Sequence, residues 1–338
     1  MVQGLRGEGA GVVEDMNIVY ASDDNYAEIM GVSMLSLFEN NKDTGEIVVY
    51  VLDSQIRNDN KQKLQQIADI YNRQLNFIST QNVVDKINSI KQDRGGASQF
   101  SRLFLSELLP LECDRVLYID CDTIIRHSLE SLYKIDFEGN IICGVMDCIS
   151  KQHRARLGLK ENALYINSGM MLIDMNAWRE RKIEKKIESV IRNNNGHVPY
   201  ADQGIINTAL HGFIKNVHPR YNCISVYTAF NFNDLLEYRQ PSACLSSIEI
   251  EEARKDPTIM HFVTLFCMSR PWYKNAKGPF FDEWRLYKSK TPWKDCPERN
   301  PQKGKFQKIG ATLYKFAPHS VSLTILGFLH ARVKPFVM

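Results

Sequence analysis

The sequence predicts an α/β protein built on one mixed, mainly parallel sheet flanked by helices, with a small C-terminal helical extension. Short apolar runs alternate with longer segments in which apolar residues recur at helical spacing, a pattern typical of parallel strands joined by crossover helices. Polar clusters follow two of the apolar runs directly, at Ser22–Asn25 and Asp120–Thr123. Open parallel sheets bind ligands at the carboxyl ends of their strands, so these clusters indicate where a functional site lies.

The alternation of apolar runs with segments of helical periodicity is clearest in the first half of the chain. Strands are predicted at Asn17–Ala21, Ile47–Leu52, Gln74–Ser79 and Arg115–Ile119. Helices are predicted between them, at Tyr26–Glu39, Gln55–Tyr71 and about Ser98–Leu109. This order favours crossover connections and a parallel sheet.

The second half predicts a mixed sheet and a separate tail. Further strands are predicted at Ile141–Met146, Tyr165–Asn167, Met170–Ile173 and Thr258–Phe262, with a polar, basic loop at Ser150–Lys160 and helices at Ile183–Arg192 and Gln203–Leu210. Pro301 lies in a polar segment typical of a linker. We therefore expect an N-terminal extension (1–15), a globular domain (16–298) and a basic, apolar tail (299–338).

Composition indicates a globular protein and excludes other classes. The chain has 338 residues, 44% hydrophobic and 24% charged, which is enough for a sizeable core. A net charge of +3 is too small to indicate a nucleic-acid partner. The eight cysteines form no Cys-x-x-Cys pair, so we predict free thiols in a reducing, cytoplasmic setting. No apolar run reaches the roughly eighteen residues of a membrane span.

The tail has two interpretations. Lys305–Phe316 mixes basic and apolar residues, and Ser320–Phe336 is largely apolar. Such a segment is typical of peripheral contact with the inner face of a membrane, and equally of a helix packed on the preceding domain. Pro318 is predicted to break it into two pieces.

Asp120 and Asp122, in the run Tyr118-Ile-Asp-Cys-Asp-Thr123, are candidate metal ligands. Side chains two positions apart in an extended chain point to the same side, so both carboxylates can meet one cation. Mg²⁺ and Mn²⁺ accept carboxylate oxygens and leave positions open for a diphosphate. An isolated Asp-x-Asp is also typical of an ordinary turn, and its place after a buried strand is what favours the metal site.

A second polar cluster, Ala21-Ser-Asp-Asp-Asn-Tyr26, follows the first strand. Asp23 and Asn25 offer hydrogen-bond acceptors for a base or ribose, and Tyr26 offers an aromatic face. The same residues are typical of a helix N-cap, and both roles are compatible. The chain contains neither Gly-x-Gly-x-x-Gly nor Gly-x-x-x-x-Gly-Lys-Ser/Thr, which argues against dinucleotide-binding enzymes and P-loop phosphotransferases.

Together these segments resemble glycosyltransferase family 8, whose retaining enzymes include lipopolysaccharide galactosyltransferases and glucosyltransferases and, more distantly, glycogenin. The similarity runs from about Met16 to Trp272. It is carried, in order, by Ile18–Tyr26, Ser101-Arg-Leu103, Val116–Asp122, Asn167–Asp174, Ala201-Asp-Gln-Gly204 and His261. It implies a GT-A fold with a Rossmann-like sheet and makes residues 16–298 a catalytic domain.

The resemblance implies a role for each matching residue. Asp120, Asp122 and His261 would bind manganese or magnesium. The UDP-hexose donor would be held by Ala21, Asp23, Asn25, Tyr26, Arg102, Asp120, Cys121, Asp122, Asn167, Asp202, Gln203 and Arg270. Arg102, Asp202 and Gln203 would act at the reacting carbon, and Asp147 would face the acceptor.

Several of these residues also have a purely structural interpretation. The alternatives are a core position for His261, a turn for Asn167, a helix start for Asp202 and Gln203, and a surface ion pair with Glu107 for Arg102. The loop after His261 also departs from the family. It is longer, lacks a glycine and has Arg270-Pro-Trp272 where members commonly have Lys-Pro-Trp, which keeps the charge but changes its geometry.

The sequence therefore predicts a retaining hexosyltransferase that moves galactose or glucose from a UDP-sugar to a glycan or glycolipid hydroxyl. Front-face attack is expected, because the amide of Gln203 is a weak nucleophile. One alternative is a sugar-nucleotide pyrophosphorylase, although such enzymes normally carry a glycine-rich, basic loop after the first strand. The other is a non-catalytic protein that binds sugar nucleotides or glycans.

Overall fold

The computed structural model of the protein describes residues 15–91, 96–301 and 304–337. Apart from Asp15, the predicted N-terminal extension lies outside these residues. The apolar runs form strands: β1 (Met16–Asp23), β2 (Ile47–Ser54), β3 (Gln74–Ser79), β4 (Arg115–Ile119), β5 (Thr123–Ile125), β6 (Ile142–Met146), β7 (Ile166–Asp174), β8 (Ile214–Asn216), β9 (Cys223–Ile224) and β10 (Ile259–His261).

Helices connect the strands and cover the sheet. The α-helices are α1 (Ala27–Glu39), α2 (Asn58–Ile70), α3 (Val84–Asn88), α4 (Leu105–Leu108), α5 (Glu130–Tyr133), α6 (Lys151–Arg156), α7 (Met175–Glu180), α8 (Ile183–Asn193), α9 (Ala201–Ala209), α10 (Ser225–Ala229), α11 (Phe232–Arg239), α12 (Ser247–Lys255), α13 (Phe281–Ser289), α14 (Lys305–Phe316), α15 (His319–Phe328) and α16 (Lys334–Val337). Tighter 3₁₀ turns occupy Asp24–Tyr26, Thr80–Val83, Ala97–Phe104 and Pro219–Asn222, and Leu329–Val333 is a π-helical turn.

The main sheet has the predicted mixed, mainly parallel character. Within the described residues its seven strands run in the order β3-β2-β1-β4-β7-β6-β8. The pairs β1–β2, β2–β3, β1–β4 and β6–β8 are parallel, whereas β7 runs antiparallel to β4 and β6. Ile18 and Tyr20 pack into one apolar layer, and Val19 and Ala21 into the layer on the opposite face. Burial on both faces explains why these strands are continuously apolar in sequence.

The strand order creates a crevice beside β1. From β1 the chain moves outward to β2 and β3, then returns to β4 on the other side of β1. The carboxyl ends of β1 and β4 are therefore neighbours at a point where the winding direction reverses, which is where open sheets bind ligands. A smaller sheet of order β5-β10-β9 continues from β4, with β10 antiparallel to β5 and parallel to β9.

Two elements differ from the sequence-based expectation. The strands predicted at Tyr165–Asn167 and Met170–Ile173 form the single strand β7, because the ladder continues through the intervening polar residues with a register shift opposite them at Gly144 and Val145. The segment Ser150–Lys160 is not simply a loop. It contains α6, because the Ser150 side chain caps the helix by accepting a hydrogen bond from the backbone N–H of His153.

The tail packs on the domain. Helices α14 and α15 of the tail are separated at Pro318, as predicted, and Leu323 and Leu326 are buried in the core layer that includes α11. A Cβ at Gly327 would overlap the carbonyl oxygen of Glu237, so this contact requires glycine. Throughout the described ranges, every helix is too short or too polar to cross a bilayer. All eight cysteines are free thiols, as predicted.

Candidate active site

Asp120, Asp122 and His261 converge just beyond the end of β4. Pairing of β10 with β5 sets His261 opposite Thr123, and the N–H of Phe262 donates to the carbonyl of Asp122 at 2.8 Å. His261 Nε2 lies 3.2 Å from Asp122 Oδ1 and 3.8 Å from Asp120 Oδ2. One ligand atom from each residue lies within 4.8 Å of the others. Two carboxylates and one imidazole suit a divalent cation such as Mn²⁺ or Mg²⁺.

Asn222 fixes the tautomer of His261. Asn222 precedes β9, which pairs with β10, and its Oδ1 lies 2.9 Å from His261 Nδ1. Because Asn222 Nδ2 donates to Asn167 Oδ1 at 2.9 Å, its Oδ1 is the acceptor and Nδ1 carries the imidazole proton. The lone pair of Nε2 therefore faces the two carboxylates. Hydrogen bonds of this kind orient metal-ligating histidines.

A chain of amide hydrogen bonds continues from the candidate metal triad to Asp147. Asn167 Nδ2 donates to Gln203 Oε1 at 3.1 Å, and Gln203 Nε2 donates to Asp147 Oδ2 at 3.3 Å. A carboxylate only accepts, so the direction of every hydrogen bond in this chain follows from Asp147. This series of hydrogen bonds joins the end of β6, β7 and α9 to the turn before β9. Asn167 is thus not an ordinary turn residue, and Gln203 does more than start a helix.

Gly169 is required by the close approach of β7 to His261. A Cβ at this position would lie 2.7 Å from His261 Nδ1 and 2.9 Å from Asn167 Oδ1. The backbone of Gly169 also contributes, because its carbonyl accepts from the N–H of Asp120 at 2.8 Å and its N–H donates to Asn167 Oδ1 at 3.0 Å.

Arg102 bridges the two acidic sides of the site. Its Nη2 donates to Asp120 Oδ1 at 2.6 Å, and its Nη1 lies 3.3 Å from Asp202 Oδ2 and donates to the Ser168 carbonyl at 3.1 Å. The guanidinium lies over the ring of Tyr118, whose hydroxyl donates to Asp120 Oδ1 at 3.0 Å. The surface-pair alternative is wrong, since Glu107 pairs with Lys86 instead.

Burial and nearby positive charge shift the pKa values of Asp202 and Asp122 in opposite directions. Burial raises the pKa of Asp202, an effect that Arg102 opposes without reversing it. Burial also acts to raise the pKa of Asp122, but the positive charge of Arg270 opposes it, and that pKa lies well below its usual range. Asp122 therefore stays a carboxylate at neutral pH, as a metal ligand must.

Arg270 connects the triad to the first polar cluster. Its Nη2 lies 3.0 Å from Asp122 Oδ2, and its Nη1 donates to the hydroxyl of Tyr26 at 2.7 Å. The guanidinium also lies over the ring of Trp272, which packs edge-on to Tyr26. The loop from Phe262 to Trp272 thus directs its one charged side chain, Arg270, at Asp122.

The residues after β1 lie beside the triad. Asp23 Oδ1 accepts from the N–H of Tyr26 at 3.1 Å, so Asp23 is an N-cap, as the structural interpretation held. Buried Cys121 donates its Sγ–H to the carbonyl of Ala21 at 3.2 Å, which joins β1 to the acidic triplet. Asn25 is exposed.

One cavity of about 320 Å³ unites most of the expected site residues. Its wall includes Arg102, Asp120, Asp122, Asp147, Asn167, Asp202, Gln203, His261 and Arg270. Ala21, Asp23, Asn25, Tyr26 and Cys121 do not line it; Asp23 instead borders a neighbouring depression at the ends of β1 to β3, with Asp53 and Ser79. The two regions are joined through Tyr26 and Arg270.

Sequence reasoning missed several residues of this site. Tyr118 was within reach of sequence reasoning, because it stands two positions before Asp120 and an extended chain points both to the same side. Asn222, Arg239, His330 and Lys334 also belong here, the first through His261 and the others in the cavity wall. No pattern in a single sequence marks them, since each arrives from a distant element.

The fold is that of a GT-A glycosyltransferase. The family model of glycosyl transferase family 8 matches residues 17–276. General stress protein A of Bacillus subtilis (strain 168) is 27% identical over 283 residues, which cover 83% of this chain and 95% of that protein. Lipopolysaccharide 1,2-glucosyltransferase of Escherichia coli (strain K12) is 25% identical over 301 residues, which cover 85% and 81%.

A solved structure has the same fold. The galactosyltransferase LgtC in complex with donor and acceptor sugar analogues superposes with a TM-score of 0.71 at 22% identity, covering 83% of this chain and 99% of that one. The chain belongs to glycosyltransferase family 8.

Proposed function

We propose that this glycosyltransferase moves galactose or glucose from a UDP-sugar to a hydroxyl of a glycan or glycolipid, with retention at the anomeric carbon. The observation that carries the proposal is the continuous hydrogen-bonded path from His261 through Asn222, Asn167 and Gln203 to Asp147. It links a metal-binding triad to an acid at the other side of one cavity. The names of two relatives, a lipopolysaccharide 1,2-glucosyltransferase and a lipopolysaccharide 1,3-galactosyltransferase, support this substrate class.

Asp120, Asp122 and His261 would hold Mn²⁺ or Mg²⁺. The donor set fits such an ion, because the lone pair of His261 Nε2 already faces both carboxylates. When bound, the ion would offset charge on the departing diphosphate. Arg270 stands beside Asp122 and would add a second positive charge there.

The nucleoside would lie at the carboxyl end of β1. Tyr26 would stack on the base, and Asp23, Asn25 and the backbone near Ala21 and Cys121 would accept hydrogen bonds from base and ribose. Arg102 would contact the donor sugar and diphosphate from the opposite side of Asp120.

The contacts at the reacting centre favour front-face attack over a covalent intermediate. The Asp202 carboxylate is engaged by Arg102 at 3.3 Å and by the Ser168 hydroxyl at 2.9 Å, which reduces its availability as a nucleophile. Gln203 Oε1 accepts from Asn167 and is a weakly basic amide oxygen. Asn167, Asp202 and Gln203 would orient the sugar ring. Asp147 would face the acceptor hydroxyl. Replacing Gln203 by alanine tests this: turnover within a few-fold of wild type would remove any essential role for the side chain.

A panel of UDP-sugars, followed by UDP release with and without Mn²⁺, tests the reaction class. The transferase should release UDP slowly from UDP-galactose or UDP-glucose, and only with the metal. A pyrophosphorylase would need added pyrophosphate, and a non-catalytic binding protein would release nothing. Either outcome would contradict the proposal, and the preferred donor would name the hexose.

We also propose that the tail contacts a membrane surface. Ile309 and Phe316 lie seven positions apart on one face of α14 and are 63% and 76% exposed, beside exposed Lys308 and Lys315. Flotation with anionic liposomes should be lost when Ile309 and Phe316 are both changed to glutamate. The control Ile70→Glu alters an equally exposed apolar residue on α2 and should leave flotation unchanged. Equal flotation of all three proteins would refute tail binding.

A further inference from the structure

The active-site cavity has two ends that differ in their charged groups. Its metal end is formed by Asp120, Asp122 and His261. The other end, called the tail end here, is lined by Asp147, His153, Arg239, His330 and Lys334. Among the described residues of the tail end, Asp147 is the one carboxylate, whereas Arg239 and Lys334 both carry positive charge. The proposed transfer reaction gives no role to Arg239 or Lys334.

Arg239 lies in the cavity wall beside Asp147. Its side chain is 12% exposed, and its Nη2 forms an ion pair with Asp147 Oδ1 at 3.6 Å, beyond hydrogen-bonding distance. Within the described part of the chain, the buried atoms Arg239 Nε and Asp147 Oδ1 have no hydrogen-bond partner. The planar guanidinium has the fixed geometry that suits phosphate or carboxylate oxygens.

The tail supplies the second cation, Lys334, and specific contacts hold the tail in place. The Ser150 hydroxyl donates to the carbonyl of Ala331 at 2.7 Å, and Arg332 Nε donates to Gln240 Oε1 at 3.1 Å. His330 stacks between His153, at 5.3 Å between ring centroids, and Tyr238, at 4.7 Å. These contacts bring the partly buried Lys334, at the start of α16, into the cavity wall.

Cations surround His153 at this end of the cavity. Burial and, after it, the charges of Lys334, Arg239 and Arg154 together lower the pKa of His153 to about 3. Arg154 is itself buried and donates to the backbone carbonyl of Ala163 at 2.9 Å rather than to a carboxylate. Three cations therefore act on one buried site.

We infer that the tail end binds an anionic oxygen-rich group, a phosphate or a carboxylate, carried by the acceptor. This inference rests on the proposed transfer to a sugar hydroxyl, because it assigns the acceptor to the part of the cavity beyond Gln203. Arg239 and Lys334 would flank the anion while Asp147 faces the hydroxyl. The tail is then part of the active site, and Lys334 is a specificity-determining residue.

Calorimetric titration of the full chain saturated with UDP and Mn²⁺ tests the inference, with glucose 6-phosphate, glucuronic acid and glucose as probes. We expect at least one charged sugar to bind tenfold or more tighter than glucose. The phosphate and carboxylate arms distinguish the two sources of charge. Lys334→Gln should reduce the preference to threefold or less, and Lys334→Arg should retain it. Lys315→Gln removes the same charge from an exposed position outside the cavity wall and should change nothing.

Equal binding of charged and neutral sugars would overturn the inference. It would also be overturned if neither glucose 6-phosphate nor glucuronic acid bound. A preference that survives in Lys334→Gln would overturn it too, because the anion would then lie elsewhere, for example at the metal end. Binding of UDP and Mn²⁺ in the same samples reports separately on the proposed function. Its failure would refute the transferase proposal, whereas lost anion preference with intact UDP binding refutes only the inference.

Discussion

Gly169→Ala tests the metal site through a contact that only a glycine allows. The new Cβ would lie 2.7 Å from His261 Nδ1 and closer still to Cε1. Ordinary contact requires about 3.5 Å, so the imidazole or β7 must shift by at least roughly 0.8 Å. His261 cannot swing away freely, because its Nδ1–H is bonded to Asn222 Oδ1 at 2.9 Å.

The shift exceeds what metal coordination tolerates. Ligand distances in metal sites hold to about 0.2 Å, so His261 Nε2 would leave the coordination sphere. We expect the dissociation constant for Mn²⁺ to rise at least tenfold, by about 1.4 kcal/mol or more. Overpacking should also lower the free energy of unfolding by about 1–3 kcal/mol.

Mn²⁺ affinity by calorimetry, together with urea unfolding in a chelator, separates the two effects. Gly144→Ala is the matched control, because its Cβ would overlap Ile166 Cδ1 on the neighbouring strand of the same sheet, away from any metal ligand. It should lose stability alone, with Mn²⁺ affinity within twofold of wild type. A folded Gly169→Ala protein that binds Mn²⁺ as tightly as wild type would refute the assignment of His261 as a ligand.

Three further predictions concern the amide chain and the tail end. Asn222→Ala removes the acceptor for His261 Nδ1–H and should weaken Mn²⁺ binding about 10- to 100-fold, whereas Asn222→Asp, which keeps an acceptor, should lose less; equal affinities measured by calorimetry would contradict the orienting role. His153 has its pKa lowered to about 3 by burial and nearby cations, so it stays neutral in the folded protein while the unfolded chain gains a proton below about pH 6.5. Stability should therefore fall as pH drops from about 6.5 towards 3, by about 2 kcal/mol at pH 5, and urea unfolding at pH 7 and 5 should show that His153→Gln lacks this part of the loss. Asp147→Asn should leave Mn²⁺-dependent UDP release in water unchanged but lower transfer to an acceptor tenfold or more, and an equal fall in both rates would place Asp147 at the donor instead.

Local patterns were sufficient for much of the fold. Strands such as β1 and β4 are buried on both faces, so their apolar runs stand out without any knowledge of their neighbours. The break at Pro318 follows from the missing N–H and fixed φ of proline. β7 was divided wrongly because its polar residues face the active site. Helix α6 was overlooked because six residues are too few to show a clear periodic pattern.

The sequence by itself determined the mixed, mainly parallel sheet, the position of Asp120 and Asp122 after a buried strand, and their suitability for a divalent cation. Only the tertiary structure decided which distant groups join them. Pairing of β10 with β5 brings in His261, the turn before β9 brings in Asn222, and the packed tail brings in Lys334. The same holds for Arg102, for which the sequence suggested an ion pair with Glu107 and which bonds Asp120 instead. The physical reason is that periodicity reports how a segment meets solvent and core, whereas contacts between segments far apart in the chain depend on strand pairing and side-chain packing.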